Sequence, residues 1–199
     1  MDKREHNKNF VDFRDDVTKA VDVLRNGGVI LYPTDTVWGL GCDATNPIAV
    51  DKLLKIKNSG TKDRLIALID NPAKLQSYME EVPDIAWDLI ELSEKPLTII
   101  YPDAKNLANN FVAEDKSVSI RVTNEAFSKA LCSRFRNPIV FTPANTGGTL
   151  IPETFSMINS DIKSVVDYIV SFRQQVNTGA DKTSVIKLGR GNIFEIIKQ

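Results

Sequence analysis

Short apolar runs alternate with amphipathic segments along most of the 199-residue chain. A continuous run of four to six apolar residues is typical of a buried strand, and alternation of apolar with polar residues is typical of a half-buried strand. Apolar residues spaced three or four apart are typical of a helix with one buried face. These patterns predict strands over residues 29–32, 65–69, 97–101, 118–122, 138–142, 165–170, 183–188 and 193–197. They predict helices over residues 15–26, 47–57, 71–79, 83–92, 124–135 and 152–158.

Local signals support several of these boundaries. Asn26-Gly27-Gly28 closes the first helix, because glycine readily adopts the left-handed conformation just past a helix end. Asn46-Pro47 is an N-cap followed by proline at the first helical position, and Asn71-Pro72 repeats this signal. In the fourth helix, the residues expected to face the core are Ile85, Leu89 and Leu92.

Strands that alternate with helices predict a mixed sheet covered by helices, so the fold class is α/β. A length of 199 residues and a hydrophobic content of 42% suit one domain with a sizeable core in preference to two small domains. The charged start of the chain predicts an N-terminal lead-in over residues 1–13. A single domain is then expected over residues 14–199.

Polar loops follow four of the predicted strands, near Thr34, Arg121, Asn145 and Lys182. Open α/β folds bind ligands at such strand ends, so we expect one pocket that gathers these loops. The most informative segment is 31–43, Leu-Tyr-Pro-Thr-Asp-Thr-Val-Trp-Gly-Leu-Gly-Cys-Asp. It is either a loop whose hydroxyls and bare glycine backbone approach a small ligand, or an ordinary strand exit with a glycine-rich turn.

Composition narrows the chemistry that is open to this chain. Lys and Arg total 25 against 26 for Asp and Glu, so the net charge demands no nucleic-acid partner, although it leaves room for a local basic patch. No run approaches the roughly 20 apolar residues of a membrane span, and the charged N-terminus argues against a signal peptide. Cys42 and Cys132 are too few for a disulfide framework, which favours a cytoplasmic protein with reduced thiols.

His6 is the only histidine, which argues against a Ser-His-Asp or Cys-His nucleophile and against a protein zinc site. Activation is therefore expected from Lys, Arg, carboxylates, hydroxyls, backbone dipoles or an oxygen-bound Mg²⁺.

Four features have a structural as well as a functional interpretation. Residues 39–44 fit G-x-G-x-x-A, but a dinucleotide fingerprint opens a helix and the next helix begins only near Pro47, so we attribute the match to chance. The basic residues between positions 52 and 64 form either a solvated helix end or a phosphate clamp. Arg121 alternates with apolar residues and needs an anionic partner, either a ligand or an internal Asp. Asn145 either binds a ligand or hydrogen-bonds its own turn.

Several motifs resemble those of the YrdC/YciO family. The first motif that carries the resemblance is residues 32–41, Tyr-Pro-Thr-Asp-Thr-Val-Trp-Gly-Leu-Gly. The resemblance as a whole covers the chain from about residue 14 to its end. It implies a YrdC-like fold, which is a twisted mixed sheet with a concave, positively charged face. The further matching segments, in the family's order, are residues 55–57, 95–98, 119–122, 144–145 and 183–186.

The best-known members of this family are threonylcarbamoyl-AMP synthases, which condense L-threonine, bicarbonate and ATP to threonylcarbamoyl-adenylate and pyrophosphate. The product feeds the t⁶A modification of tRNA. The resemblance therefore implies a nucleotidyltransferase-like enzyme with ATP as substrate and Mg²⁺ beside it. It also implies tRNA or double-stranded RNA, and proteins of the t⁶A pathway, as partners.

The resemblance carries functional roles to particular positions of this sequence. The catalytic cations would be Lys57 and Arg121. The residues that resemble the threonine site are Thr34, Arg121 and Thr183. The residues that resemble the nucleotide site are Lys57, Ser59, Asn145 and Ser184.

Two residues depart from the family at proposed nucleotide positions. Ser59 replaces the Arg of the family's Lys-x-Arg pair, and Pro143 replaces the Ser of its Ser-x-Asn motif. Loss of an Arg at a triphosphate removes a charge-assisted contact of about 1.5–3 kcal/mol. These departures favour the alternative, a non-catalytic or altered-specificity YrdC/YciO paralog that binds nucleotide or double-stranded RNA. The basic residues that could replace the missing Arg are Lys62, Arg64 and Lys182.

Overall fold

Nine strands form one mixed sheet in the computed structural model, which describes residues 12–58, 65–176, 183–190 and 193–198. The strands are β1 (Ile30–Tyr32), β2 (Gly39–Gly41), β3 (Ile66–Ile69), β4 (Leu97–Tyr101), β5 (Val118–Val122), β6 (Ile139–Pro143), β7 (Tyr168–Ile169), β8 (Ser184–Leu188) and β9 (Phe194–Lys198). Across the sheet their order is β7-β1-β2-β6-β3-β5-β4-β8-β9. The pairs β1–β7, β3–β5 and β4–β8 are parallel and the other pairs are antiparallel. The predicted mixed sheet is confirmed.

Six α-helices flank this sheet within the described ranges. They are α1 (Arg14–Arg25), α2 (Pro47–Lys57), α3 (Leu75–Tyr78), α4 (Ile85–Glu91), α5 (Ala126–Phe135) and α6 (Ser160–Val165). Short 3₁₀ turns span Pro72–Lys74 and Phe155–Met157. None of the helices in this part of the chain is long and apolar enough to cross a membrane.

The register of the sheet decides which side chains share a face. Leu68 on β3 lies opposite both Ile139 on β6 and Arg121 on β5, so the three side chains project to the same side. Helices α1 and α5 pack on that side and bury Leu68, together with Tyr32 of β1 and Phe141 of β6. Helices α2, α3 and α4 contribute to the core on the opposite side. Arg121 therefore stands one strand beyond Leu68, on the face that carries α1 and α5.

The glycine-rich segment is part of the sheet, although its sequence pattern predicts a loop. Gly39–Gly41 forms β2, which pairs antiparallel with β1. A Cβ atom on Gly39 would lie 2.5 Å from Cδ2 of Phe141, and one on Gly41 would lie 2.6 Å from Cε1 of Tyr32. Since contacts this short are repulsive, these glycines make room for neighbouring aromatic rings. The structural interpretation of the two glycines is favoured over the approach of a ligand to bare backbone.

The chain between β6 and β8 differs most from the prediction. The predicted strand over residues 165–170 is reduced to the two residues of β7, because Val165 still belongs to α6 and only Tyr168 and Ile169 pair with β1. Asn159 caps this helix by accepting a hydrogen bond from the backbone N–H of Asp161 at 2.8 Å. The helix predicted over residues 152–158 is only the 3₁₀ turn.

One predicted core position is wrong. Leu92 is 79% exposed, because α4 ends at Glu91 and the chain leaves the helical face there. Ala86 is the fully buried residue of this helix.

Candidate functional site

A locked turn follows β1 at the start of the motif segment. The Thr34 hydroxyl donates to the Val37 carbonyl at 2.7 Å and accepts from the Thr36 backbone N–H at 3.2 Å. Thr34 and Thr36 are buried, whereas Asp35 between them is partly exposed. Thr34 thus uses its hydroxyl to close the turn, and the turn holds Asp35 at the sheet. A contact of Thr34 with a substrate remains a prediction.

Arg121 is the centre of a polar cluster on the sheet. Its Nε donates to Oγ1 of Thr98, the residue directly opposite it on β4, at 3.1 Å. Its Nη1 donates to Oδ1 of Asp35 at 3.0 Å, and its Nη2 donates to Oγ1 of Thr183 at 3.3 Å. The guanidinium carbon lies 5.6 Å from the centroid of the Phe141 ring. The predicted need of this cation for an anion is met, among the described residues, by an internal Asp.

Burial dominates the electrostatics of the Arg121–Asp35 pair. The side chain of Arg121 is 2% exposed and that of Asp35 is 16% exposed. Desolvation by burial raises the pKa of Asp35 even though the guanidinium opposes that rise. Burial likewise lowers the pKa of Arg121, against the attraction of Asp35. For each partner, the effect of burial on the pKa therefore exceeds the opposing effect of the other charge.

A second polar group joins the end of α2 to the loop after β6. Nζ of Lys57 donates to Oδ1 of Asn145 at 2.7 Å and to the Pro143 carbonyl at 2.8 Å. The Lys57 carbonyl accepts from the backbone N–H of Gly147 at 2.9 Å. Asn145 also closes its own turn, since its Nδ2 donates to the Thr149 carbonyl at 2.7 Å. Lys57 and Asn145 are therefore in direct contact, and their shared role at a nucleotide stays a prediction.

The segment between β1 and β2 lies beside both groups. At one end it carries Asp35, which contacts Arg121. At the other end the Trp38 carbonyl accepts from the Ala144 backbone N–H at 2.9 Å, and Gly39 lies opposite Pro143. The structure thus brings the Arg121 cluster and the Lys57 group to two sides of one segment.

The other residues predicted for the nucleotide site belong to neither of these two polar groups or lie outside the described residues. Ser184 begins β8 opposite Leu97 and is half-buried. Its backbone N–H donates to the Pro96 carbonyl at 3.2 Å. Ser59, a proposed nucleotide residue, lies outside the described residues. The candidate replacement cations Lys62, Arg64 and Lys182 lie outside them as well.

Two members of the cluster had no assigned role in the sequence analysis. Asp35 stands in the motif segment, and Thr98 stands inside the apolar strand Leu-Thr-Ile-Ile-Tyr. A hydroxyl in such a strand is a usable signal, because a buried polar side chain requires a partner. No comparable signal pairs Asp35 with Arg121, since they are 86 residues apart.

Comparison with known proteins agrees with the motifs. The family model Sua5/YciO/YrdC, described as Telomere recombination, matches residues 22–199. The threonylcarbamoyl-AMP synthase of Pseudoalteromonas translucida (strain TAC 125) is 34% identical over 157 residues, which cover 77% of this chain and 84% of that protein.

Solved structures match the fold. Escherichia coli YciO superposes with a TM-score of 0.79 at 22% identity, covering 93% of this chain and 89% of that one. Sua5 of P. abyssi complexed with L-threonine superposes with a TM-score of 0.76 at 23% identity, covering 86% of this chain. This chain spans about half, 50%, of that Sua5 chain. At such identities these two likenesses establish the fold alone. Because the family model matches most of the sequence, the chain belongs to the Sua5/YciO/YrdC family.

Proposed function

We propose that this chain is a threonylcarbamoyl-AMP synthase that condenses L-threonine, bicarbonate and ATP to threonylcarbamoyl-adenylate and pyrophosphate. The observation that carries the proposal is the buried Arg121 cluster, in a chain 34% identical to a synthase of that name. A guanidinium suits the α-carboxylate of an amino acid, because its planar fork can donate parallel hydrogen bonds to both oxygens. The L-threonine complexed with P. abyssi Sua5 supports this class of substrate.

The reaction requires positioning and charge compensation. The amine of threonine combines with bicarbonate to form a carbamate and water, and a carbamate oxygen attacks the α-phosphorus of ATP while pyrophosphate leaves. Both reactants are anionic at the second step, so cations that lie between them lower the barrier. In the proposed arrangement, Arg121, Thr183 and the Thr34 turn orient the amino acid. The residues on the nucleotide side are Lys57, Ser59, Asn145 and Ser184.

ATP is the nucleotide substrate in this proposal, and Mg²⁺ enters with its phosphates. The described residues hold no group of three His, Cys, Asp or Glu side chains that could bind an ion by themselves. Mg²⁺ commonly keeps several waters and binds through substrate phosphates, which suits such a site. The product would be consumed by proteins of the t⁶A pathway that act on tRNA.

Pyrophosphate release tests the proposal directly. The purified chain is incubated with ATP, Mg²⁺, bicarbonate and L-threonine, and each reactant is omitted in turn. We expect pyrophosphate only in the complete mixture, with threonylcarbamoyl-adenylate identified by mass spectrometry. Arg121→Lys should lower the rate at least about tenfold, because a point charge cannot replace the bidentate fork. Arg25→Lys at the exposed end of α1 is the matched control and should leave the rate unchanged. Absence of pyrophosphate in the complete mixture contradicts the proposal.

The two departures from the family support a second candidate, an altered-specificity or non-catalytic paralog. The contact of Pro143 with Lys57 is made by its backbone carbonyl, and its side chain has no hydroxyl, so this position offers a nucleotide no side-chain hydrogen bond. Binding of ATP without pyrophosphate release, for threonine and for other amino acids, would support this candidate. Double-stranded RNA and tRNA binding would be measured in the same preparation.

A further inference from the structure

We propose that Asp35 determines substrate class by binding the α-ammonium group of an amino acid whose carboxylate is held at Arg121. The site then selects a zwitterion and rejects a simple carboxylic acid. This inference rests on the proposed function, which supplies the amino-acid substrate.

The charge balance of the cluster favours a zwitterionic ligand. Asp35 and Arg121 are in direct contact at 3.0 Å, and together their charges sum to zero. A simple carboxylate bound at Arg121 would add a net negative charge next to Asp35, where little water remains to screen it. An α-amino acid adds equal and opposite charges, so its ammonium can offset the Asp35 carboxylate.

The cluster also contains hydrogen-bonding groups that have no partner among the described residues. A guanidinium has five N–H donors, and Arg121 uses three of them on Asp35, Thr98 and Thr183. Two donors, one on each Nη, therefore have no acceptor among the described residues. The Thr183 hydroxyl accepts from Arg121, and its own hydrogen has no acceptor among the residues that the structure describes. These groups suit a carboxylate.

Asp35 supplies the complementary acceptor beside those donors. Arg121 donates to its Oδ1, and no side chain in the described ranges donates to its Oδ2. In an α-amino acid one carbon separates the ammonium nitrogen from the carboxylate carbon. A donor pair and a carboxylate oxygen that touch each other, as Arg121 and Asp35 do, match this spacing.

The cost of the ion pair is consistent with a role in binding. Burial raises the pKa of Asp35 and lowers the pKa of Arg121, so neither charge is fully compensated by the other. Glu125 is the neighbouring carboxylate that also raises the pKa of Asp35. Glu125 itself caps α5 by accepting from the Phe127 and Ser128 backbone N–H groups, and it pairs with Arg173 at 3.4 Å. Among the carboxylates of this region that the structure describes, Asp35 thus remains for a ligand cation.

Calorimetric titration with two ligands tests the inference. L-Threonine is compared with 3-hydroxybutyrate, which keeps the carboxylate, the hydroxyl and the carbon chain but lacks the ammonium. Both are titrated, with a non-hydrolysable ATP analogue present, into the full chain and into Asp35→Asn and Asp22→Asn. Asp22→Asn is the matched control, since Asp22 is an exposed residue of α1.

The inference predicts an inversion of selectivity. The wild-type chain should prefer L-threonine by at least about tenfold, the size of one hydrogen bond to a charged group. Asp35→Asn should weaken L-threonine about tenfold or more and tighten 3-hydroxybutyrate severalfold, because the variant site carries a net positive charge. Asp22→Asn should behave as the wild type.

Other outcomes overturn the inference. If Asp35→Asn weakens both ligands in parallel or changes neither, Asp35 only positions Arg121 or stabilises the fold. If this variant does not fold, equal affinity of the wild type for the two ligands still overturns the inference. A wild-type chain that releases pyrophosphate with L-threonine but shows no inversion refutes the role of Asp35 alone. A chain that binds no amino acid and releases no pyrophosphate refutes the proposed function as well.

Discussion

At the scale of single residues, Arg121 and Asp35 form the most deeply buried ion pair among the described residues. A buried pair is often no more stabilising than apolar residues of the same volume, yet removing one partner leaves the other buried without compensation. Arg121 is the more deeply buried partner. Loss of either residue therefore affects folding as well as any ligand, and the two effects have to be separated by paired variants.

We predict that Arg121→Ala lowers the free energy of unfolding by about 3 kcal/mol, because Asp35 then remains buried without its cation. The double variant Arg121→Ala/Asp35→Asn should recover part of that loss, since the uncompensated carboxylate is removed. Urea denaturation of the wild type, the single variants and the double variant measures the coupling. Strictly additive losses would show that the two residues do not stabilise each other.

The raised pKa of Asp35 predicts how stability depends on pH. A carboxyl whose pKa is higher in the native state than in the unfolded chain binds its proton more tightly when folded. Its contribution to stability is complete below the ordinary Asp range and is lost as pH rises through the raised native pKa. We therefore expect the difference in unfolding free energy between wild type and Asp35→Asn to fall as pH rises through that window. A difference that grows with pH would show that attraction to Arg121 outweighs burial.

At the scale of elements, the hairpin of β1 and β2 carries the motif turn, and its glycines make it compatible with the rings beside it. Gly39 faces Phe141, and the same ring lies near the Arg121 guanidinium. The packing of β2 on β6 is thereby linked to the position of the candidate site. Displacement of this ring would therefore change both the packing of β2 and the surroundings of Arg121.

We predict that Gly39→Ala lowers the free energy of unfolding by about 1–3 kcal/mol, because its Cβ atom would overlap the Phe141 ring and lie 3.1 Å from the Thr142 carbonyl oxygen. Gly189→Ala is the matched control, since the nearest atom to its Cβ among the described residues is 3.5 Å away and its φ is not positive. The control should be neutral or stabilise by about 0.4–1 kcal/mol through the unfolded chain. Equal effects of the two variants in thermal denaturation would contradict this account.

At the scale of the whole molecule, the candidate site lies where helical cover of one sheet face ends. Helices α1 and α5 bury the face over β1, β2, β6 and β3. On β5, β4 and β8 the same face carries Ser119, Ile100 and Lys187, which are half-buried or exposed. Arg121 stands at this boundary. At this boundary Arg121 is buried, whereas its partners Asp35 and Thr183 are partly exposed, so a ligand would reach the cluster from their side.

The chain at β9, at one edge of the sheet, exposes several apolar side chains. β9 pairs only with β8 among the described residues. At least half of the side chain is exposed at each of the four apolar residues Ile193, Phe194, Ile196 and Ile197. An exposed apolar edge strand is a template for pairing with other chains.

We therefore predict that Ile197→Lys lowers light scattering during refolding by about half, because a charge on an edge strand opposes pairing. Leu92→Lys is the matched control, since Leu92 is exposed after α4 and away from any strand edge. This control should scatter like the wild type. The same reduction in both variants would mean that added charge acts through overall solubility and not through β9.

Much of the architecture could be predicted from the sequence by itself. The boundaries of α1, α2 and α5 agree to within about two residues with the amphipathic pattern, because helix formation and capping depend on residues three or four positions apart. Apolar runs likewise identified β3 and β4, and the alternation of apolar with polar residues identified β5. The single histidine also restricted the catalytic chemistry without any structure.

The tertiary structure decided what depends on distant parts of the chain. The order of strands, the inclusion of β2 and the shortening of β7 follow from which segments pair, and a three-residue strand has no pattern of its own. The candidate site depends on such contacts as well: Asp35 meets Arg121 across 86 residues, and Lys57 meets Asn145 across 88. Sequence identified which residues could do chemistry. Only folding determined that Arg121 already holds a carboxylate, because burial and register place a charge beside one partner and not another.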